Sequence, residues 1–172
     1  MSRACGLAAG VLAAAGALAA CAPERTASEL PTAAAMLALL GRGGGPNVEV
    51  TAPDADDPRL RPHTYAGRAS EVARFTERTI EPLPRWEVIA GRSGVIWLTR
   101  RTRLGFVDDI HLLLVPTGDS TVIFARSASR VGRYDFGQNR RNLGELWGAL
   151  ETETGEGEGG RGRAEANPPA PR

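Results

Sequence analysis

The sequence predicts an α+β fold: an antiparallel sheet of about four to five strands with two helices packed on one face. Three observations carry this. Four β-rich runs follow one another at 86–90, 95–101, 105–115 and 121–129. Short turn-forming breaks separate them, so consecutive strands join as antiparallel hairpins. Stretches of helical periodicity flank the strands instead of alternating with them, which segregates helix from sheet.

Each element has a local reason. Residues 47–52 read as a short edge strand. Ser70 is a suitable N-cap for a helix running to about 80, with Glu71 in the favourable first turn and Val72, Phe75 and Ile80 on one side. Pro82 and Pro84 end it. Gly91-Arg92-Ser93-Gly94 and Pro116-Thr117-Gly118-Asp119 punctuate the strands. In the third strand Phe106, Ile110, Leu112 and Leu114 face one way, and Val107, Asp109, His111, Leu113 and Val115 the other. Both faces carry apolar residues near its end, so part of the sheet is expected to be covered on both sides. Leu143, Leu146, Trp147 and Leu150 form one stripe at helical spacing and place the last helix at about 139–150. Trp86, Trp97 and Trp147 each fall within a periodic apolar set and read as core anchors.

The ends of the chain carry an address. After Arg3 no residue from Ala4 to Ala20 is charged, and most are Ala, Gly, Leu or Val. A spanning helix needs about 20 strongly apolar residues, which this run does not supply. A basic start, a short apolar stretch and small residues before a cut describe a secretory signal. Leu18-Ala19-Ala20-Cys21 resembles a bacterial lipobox, with cleavage before Cys21 and lipid on its thiol. Ala22 after the cysteine leans towards the outer membrane. The expected organisation is a signal peptide at 1–20, a lipidated Cys21 with a flexible tether to 46, a domain at 47–151, and a disordered tail at 152–172. The tether, rich in Ala, Pro, Thr and Gly, has a reach of roughly 25–30 Å. A short helix at 33–40 lies within it. The tail holds no apolar residue larger than Ala apart from proline, so burial cannot offset its ordering entropy.

Composition excludes several classes. Cys5 and Cys21 are the two cysteines; one leaves with the signal and the other is acylated, so thiol catalysis and cysteine–zinc sites fall away. Basic and acidic residues, 21 and 20, balance to a net +1. No basic field draws in nucleic acid. All the cations are arginine, a planar fork donor suited to carboxylate and phosphate.

The densest polar constellation joins Phe106-Val107-Asp108-Asp109, Arg126-Ser127-Ala128-Ser129-Arg130-Val131-Gly132, Tyr134-Asp135-Phe136-Gly137 and Asn139-Arg140-Arg141. These residues resemble the hallmark of the DUF1499 family, an uncharacterised group of bacterial and plastid proteins. The resemblance covers about 46–150, including Pro46-Asn47, and is strongest from Phe106 to Arg140. It implies export or lipid anchoring and brings no established activity.

The same residues support a structural and a functional role. A hairpin centred near Thr117-Gly118 sets Asp108 or Asp109 opposite Arg126, while Asp135 and Asn139 cap the last helix. The structural expectation is that the motif locks the loop between the last strand and the last helix. The functional expectation is that Arg126, Arg130, Arg140 and Arg141, with Ser127, Ser129 and the last helix's N-terminal amides, converge on an anion. The chain is thus expected to be a non-enzymatic envelope lipoprotein, held to the membrane by its anchor and binding an anionic ligand or envelope protein, with no cofactor or metal. The alternative is a serine-dependent hydrolase or transferase using Ser127 or Ser129 with His111 or an Asp. Neither serine lies in a nucleophile motif. His111 alternates with apolar residues, and His63 reads as an exposed loop residue. Asp54, Asp56 and Asp57 lack the glutamate spacing of a calcium loop.

Overall fold

The computed structural model describes residues 26–154. The signal segment, Cys21 and the tail from 155 lie outside them. The described chain forms helix α1 (Ala33–Gly41), strand β1 (Val48–Val50), strand β2 (His63–Ala66), helix α2 (Ala69–Ile80), strands β3 (Trp86–Arg92), β4 (Val95–Arg101), β5 (Val107–Thr117) and β6 (Ser120–Ser129), and helix α3 (Gln138–Thr154). Short 3₁₀ turns occupy Ala27–Glu29 and Pro58–Leu60. This is an α+β fold with one antiparallel sheet. Its strand order is β1-β6-β5-β4-β3, with β2 also pairing with β6. β1 takes one half of the β6 edge, opposite 126–128, and β2 the other half, opposite 120–123.

Alternation along the central strands sends side chains to two cores. Ile96, Leu98, Ile110, Leu112, Leu114, Ile123 and Ala125 meet Val72 and Ile80 of α2 and Leu143, Leu146, Trp147 and Leu150 of α3. On the opposite face Val95, Trp97 and Leu113 meet Leu30 and Met36, with Leu39 and Leu40 alongside. β4 is buried from Val95 through Arg100, as a strand covered on both faces must be.

Three expectations change. A third helix, α1, packs on the face that α2 and α3 leave open. Met36 is fully buried and Leu30 nearly so, and Thr32 caps α1 by accepting a 3.2 Å bond from the Ala35 amide. Residues assigned to the tether therefore belong to the folded unit. Only eight residues lie between Cys21 and Leu30, a span of at most about 30 Å fully extended. The second change is at the other end, where α3 runs through Thr154 and takes in the first residues of the predicted tail. The third is β2. His63 lies on this strand, not in an exposed loop, half-buried and stacked on Trp147 at a 4.3 Å centroid distance. The N-cap of α2 is Arg68, two residues before Ser70. Glu71 reaches back to accept the Arg68 amide at 3.0 Å while pairing with its guanidinium at 2.7 Å, which sets the first turn.

Candidate functional site

The period of two along β5 and β6 divides the arginine–serine motif between the two faces of the sheet. Asp108 and Ser127 point towards α3. Asp109, His111, Arg126 and Arg130 line the face that carries α1. A motif continuous in sequence therefore serves two places.

The α3 side is a closed polar network. Ser127 Oγ donates to Asn139 Oδ1 at 2.6 Å and accepts from Asn142 Nδ2 at 3.3 Å. Asn142 Nδ2 also donates to Asp108 Oδ2 at 2.8 Å. Asn139 Nδ2 donates to the Asn47 carbonyl at 2.9 Å and to Ser129 Oγ at 3.2 Å. Ser127, Asn139 and Asn142 are completely buried and Asp108 almost so. A buried network of this kind is stabilising only when its members are satisfied, and here they are satisfied by one another. The helix start belongs to it too. Asp135 accepts from the amides of Gly137 at 3.0 Å and Asn139 at 2.7 Å, taking up the donors an anion would need. Arg140 leans across to β1 and pairs with Glu49 at 2.9 Å, with Asp57 at 3.6 Å. The hydrogen bond from Arg59 holds the Asp57 carboxyl below the usual carboxylate range. Asp135 caps the start of α3 as expected, whereas Asn139 lies inside α3 and, instead of capping it, ties it to Ser127, Ser129 and the Asn47 carbonyl.

On the other side a cleft of about 400 Å³ opens between the sheet and the segment leading into α1. Arg126, Arg130, His111 and Asp109 form its polar floor, Asn47 and Ser129 one wall, and Glu29, Pro31 and Leu39 the opposite wall. Asp109 is nearly buried and accepts from Trp97 Nε1 at 2.9 Å and from Arg130 Nη2 at 2.8 Å, with Arg130 Nε at 3.1 Å. The carboxylate thus fixes one edge of the Arg130 fork and orients it at the cleft. The ring of His111 stacks on Trp97 at 5.4 Å.

The predicted cross-strand pairing is shifted. Gly118-Asp119 is the hairpin turn, so Thr117 faces Ser120 and the register is two residues on from one centred at Thr117-Gly118. Arg126 therefore faces His111, Asp109 faces Ala128, and Asp108 faces Ser129. A two-residue shift leaves each side chain on its predicted face and changes only its neighbours. Asp109 meets Arg130, not Arg126. The four arginines do not converge: Arg126 and Arg130 line the cleft, while Arg140 and Arg141 stay on α3. Arg141 donates to the Phe136 carbonyl and to Gln138. Ser127 and His111 lie on opposite faces of the sheet, so the serine–histidine arrangement required by nucleophilic attack is not formed between them. The partners the sequence reading passed over are Asn142, Asn47, Glu49 and the indole of Trp97. Asn142 carried a usable signal, a polar residue three after Asn139 on the stripe that also holds Leu143 and Leu146.

Among the described residues no group of three metal-binding side chains gathers, and no helix is long and apolar enough to cross a membrane. No curated protein and no solved structure matches the chain. One family model does, described as a protein of unknown function, and it spans residues 31–150, which includes α1 and stops within α3. That match takes in the α3 network and all of the cleft lining except Glu29, and the chain belongs to the DUF1499 family.

Proposed function

We propose that this protein is a non-enzymatic lipoprotein of the cell envelope, anchored through an acylated Cys21 and facing the periplasm from the outer membrane. Its α1-side cleft holds an anionic group of a ligand or an envelope protein. The cleft is the observation that carries this reading. At about 400 Å³ it falls in the range of small-ligand sites. Its floor presents the guanidinium groups of Arg126 and Arg130, the His111 imidazole and the Asp109 carboxylate, with Asn47 and Ser129 at one wall and Glu29, Pro31 and Leu39 at the other. Arg130 gives Asp109 its Nε and one Nη2 hydrogen. The remaining donors of that fork suit a phosphate or carboxylate, with the Arg126 guanidinium beside them in the cleft lining. Acylation by more than one chain would make the attachment stable.

Two measurements test this reading. Mass spectrometry of the protein from its native envelope should find acyl groups on Cys21, and Cys21→Ser should release it from the membrane. Calorimetric titration with inorganic phosphate and glycerol 3-phosphate should show binding that Arg126→Ala weakens about tenfold or more, the scale of one charge-assisted hydrogen bond. Equal binding by the folded Arg126→Ala protein would remove the cleft from consideration.

A further inference from the structure

Among the described residues, five of the six exposed large apolar side chains gather at one end of the sheet; the sixth, Leu37, lies on α1. Phe136 is 89% exposed, Leu104 79% and Tyr134 68%, with Phe106 and Val131 near two-fifths. These five belong to the turn between β4 and β5 or to the loop between β6 and α3. These two segments lie side by side because the β5–β6 ladder continues one step past its strands. The Arg130 amide donates to the Val107 carbonyl at 3.1 Å, which brings Phe106 next to Val131.

Neither segment is loosely held. Thr102 and Phe106 exchange bonds that close the first turn, with the Thr102 amide to the Phe106 carbonyl at 2.8 Å and the Phe106 amide to Thr102 Oγ1 at 3.0 Å. In the second, the Asp135 amide donates to the Pro46 carbonyl at 3.2 Å and Asn47 Nδ2 to the Gly132 carbonyl at 2.9 Å. Phe136 sits in the left-handed region at φ +51°. An aromatic residue there carries a steric cost, so the surrounding bonds keep its ring turned to the outside against a local preference.

Charge separates this patch from an ordinary apolar one. Arg101, Arg103, Arg133 and Arg141 are exposed among these side chains. None of them is ion-paired among the described residues. The single acid in the two loops is Asp135, whose carboxylate is taken up by the start of α3. A second copy of this face would set arginine against arginine, which is unfavourable. An anionic lipid surface complements both features: phosphates for the guanidinium groups, and the headgroup–acyl boundary for aromatic and aliphatic tips.

We propose that the loops 102–106 and 131–137 form a membrane-seating face. Leu104, Tyr134 and Phe136 enter the headgroup region of an anionic bilayer, and Arg103 and Arg133 bind its phosphates. This extends the reading of a domain that works at a membrane. The seat adjoins the cleft, since Arg130 precedes Val131 in the chain and Asn47 is bonded to Gly132.

The test uses the full chain with Phe136→Trp as a reporter, in native and Cys21→Ser forms. It is added to vesicles of phosphatidylcholine with or without phosphatidylglycerol, all brominated on the acyl chains. Trp86, Trp97 and Trp147 are nearly buried and give a constant background. The expected result is quenching of the position-136 reporter in anionic vesicles in both forms. Arg103→Glu with Arg133→Glu should lower partitioning of the Cys21→Ser form by at least about thirtyfold. A reporter that stays unquenched while the chain sediments with vesicles overturns the seating face. So does a solution dimer that Leu104→Ser with Phe136→Ser dissolves, which would make the patch an interface between copies. A chain without acyl groups on Cys21 overturns only the anchor, because the Cys21→Ser form reads the loops alone.

Discussion

The hydroxyl of Ser127 on β6 donates a 2.6 Å hydrogen bond to the side-chain oxygen of Asn139 on α3, and both residues are completely buried. That bond ties the last helix to the sheet through polar atoms set at the end of an apolar interface. Removing Asn139 would leave the buried Ser127 hydroxyl without its acceptor and take one donor each from Ser129 Oγ and the Asn47 carbonyl. Asn139→Ala is expected to destabilise the fold by about 2–4 kcal/mol, and Ser127→Ala by about 1–3 kcal/mol. In a double-mutant cycle by urea unfolding, the two should be non-additive by about 0.5–3 kcal/mol. Additive effects would mean that the two residues act independently.

Asp109 and Arg130 make the second buried polar contact, with side chains 6% and 11% exposed. Removing one partner strands the other, so Arg130→Ala should cost about 3–5 kcal/mol. Asp109→Asn combined with Arg130→Ala should cost less than the sum of the two. Thermal unfolding of the three variants checks this, and a strictly additive double variant would show that the pair is uncoupled.

The β5–β6 turn rests on Gly118, at φ +58° with open space where a Cβ would go. A side chain there meets no clash with its surroundings and only the backbone penalty of the left-handed region. Gly118→Ala should therefore destabilise by about 1 kcal/mol without changing the structure. A loss several times larger, or an altered hairpin in amide chemical shifts, would show that the turn does more than set register.

His63 makes stability depend on pH. Burial lowers its pKa below the ordinary histidine value, and the Glu151 carboxylate at 3.4 Å opposes this only in part. The folded state therefore favours the neutral ring. As the pH falls below about 6.5, the unfolded chain takes up the proton first and stability declines. From about pH 7.5 to about pH 5, His63→Phe should lose less stability than the parent. Parallel curves for the two proteins would remove His63 as the source.

Much of the fold is legible in the residues themselves. β3 to β6, α2 and α3 follow from period-two and period-3.6 patterns interrupted by glycine and proline, and each predicted face of β5 is the face observed. The double-sided burial of β4 was likewise foreshadowed by apolar residues on both faces of its neighbour. Less legible were β2 and α1. His63-Thr64-Tyr65-Ala66 is too short to show an alternation, and only the edge of β6 makes it a strand. Ala33 to Gly41 lies in a stretch whose composition resembles a spacer, and only the apolar floor of Val95, Trp97 and Leu113 makes it part of the core.

The site divides in the same way. Taken alone, the sequence determined that Asp108 and Asp109 point to opposite faces, because neighbouring strand residues must, and that Asp135 and Asn139 belong at a helix start. Only the tertiary structure decided which partner each one meets. A turn one residue further along moved Arg126 from Asp109 to His111 and gave Asp109 to Arg130. Periodicity is a local property of the chain and reports the direction of a side chain. Partners come from register and from the docking of distant segments, whose energies are set by contacts between residues far apart in sequence.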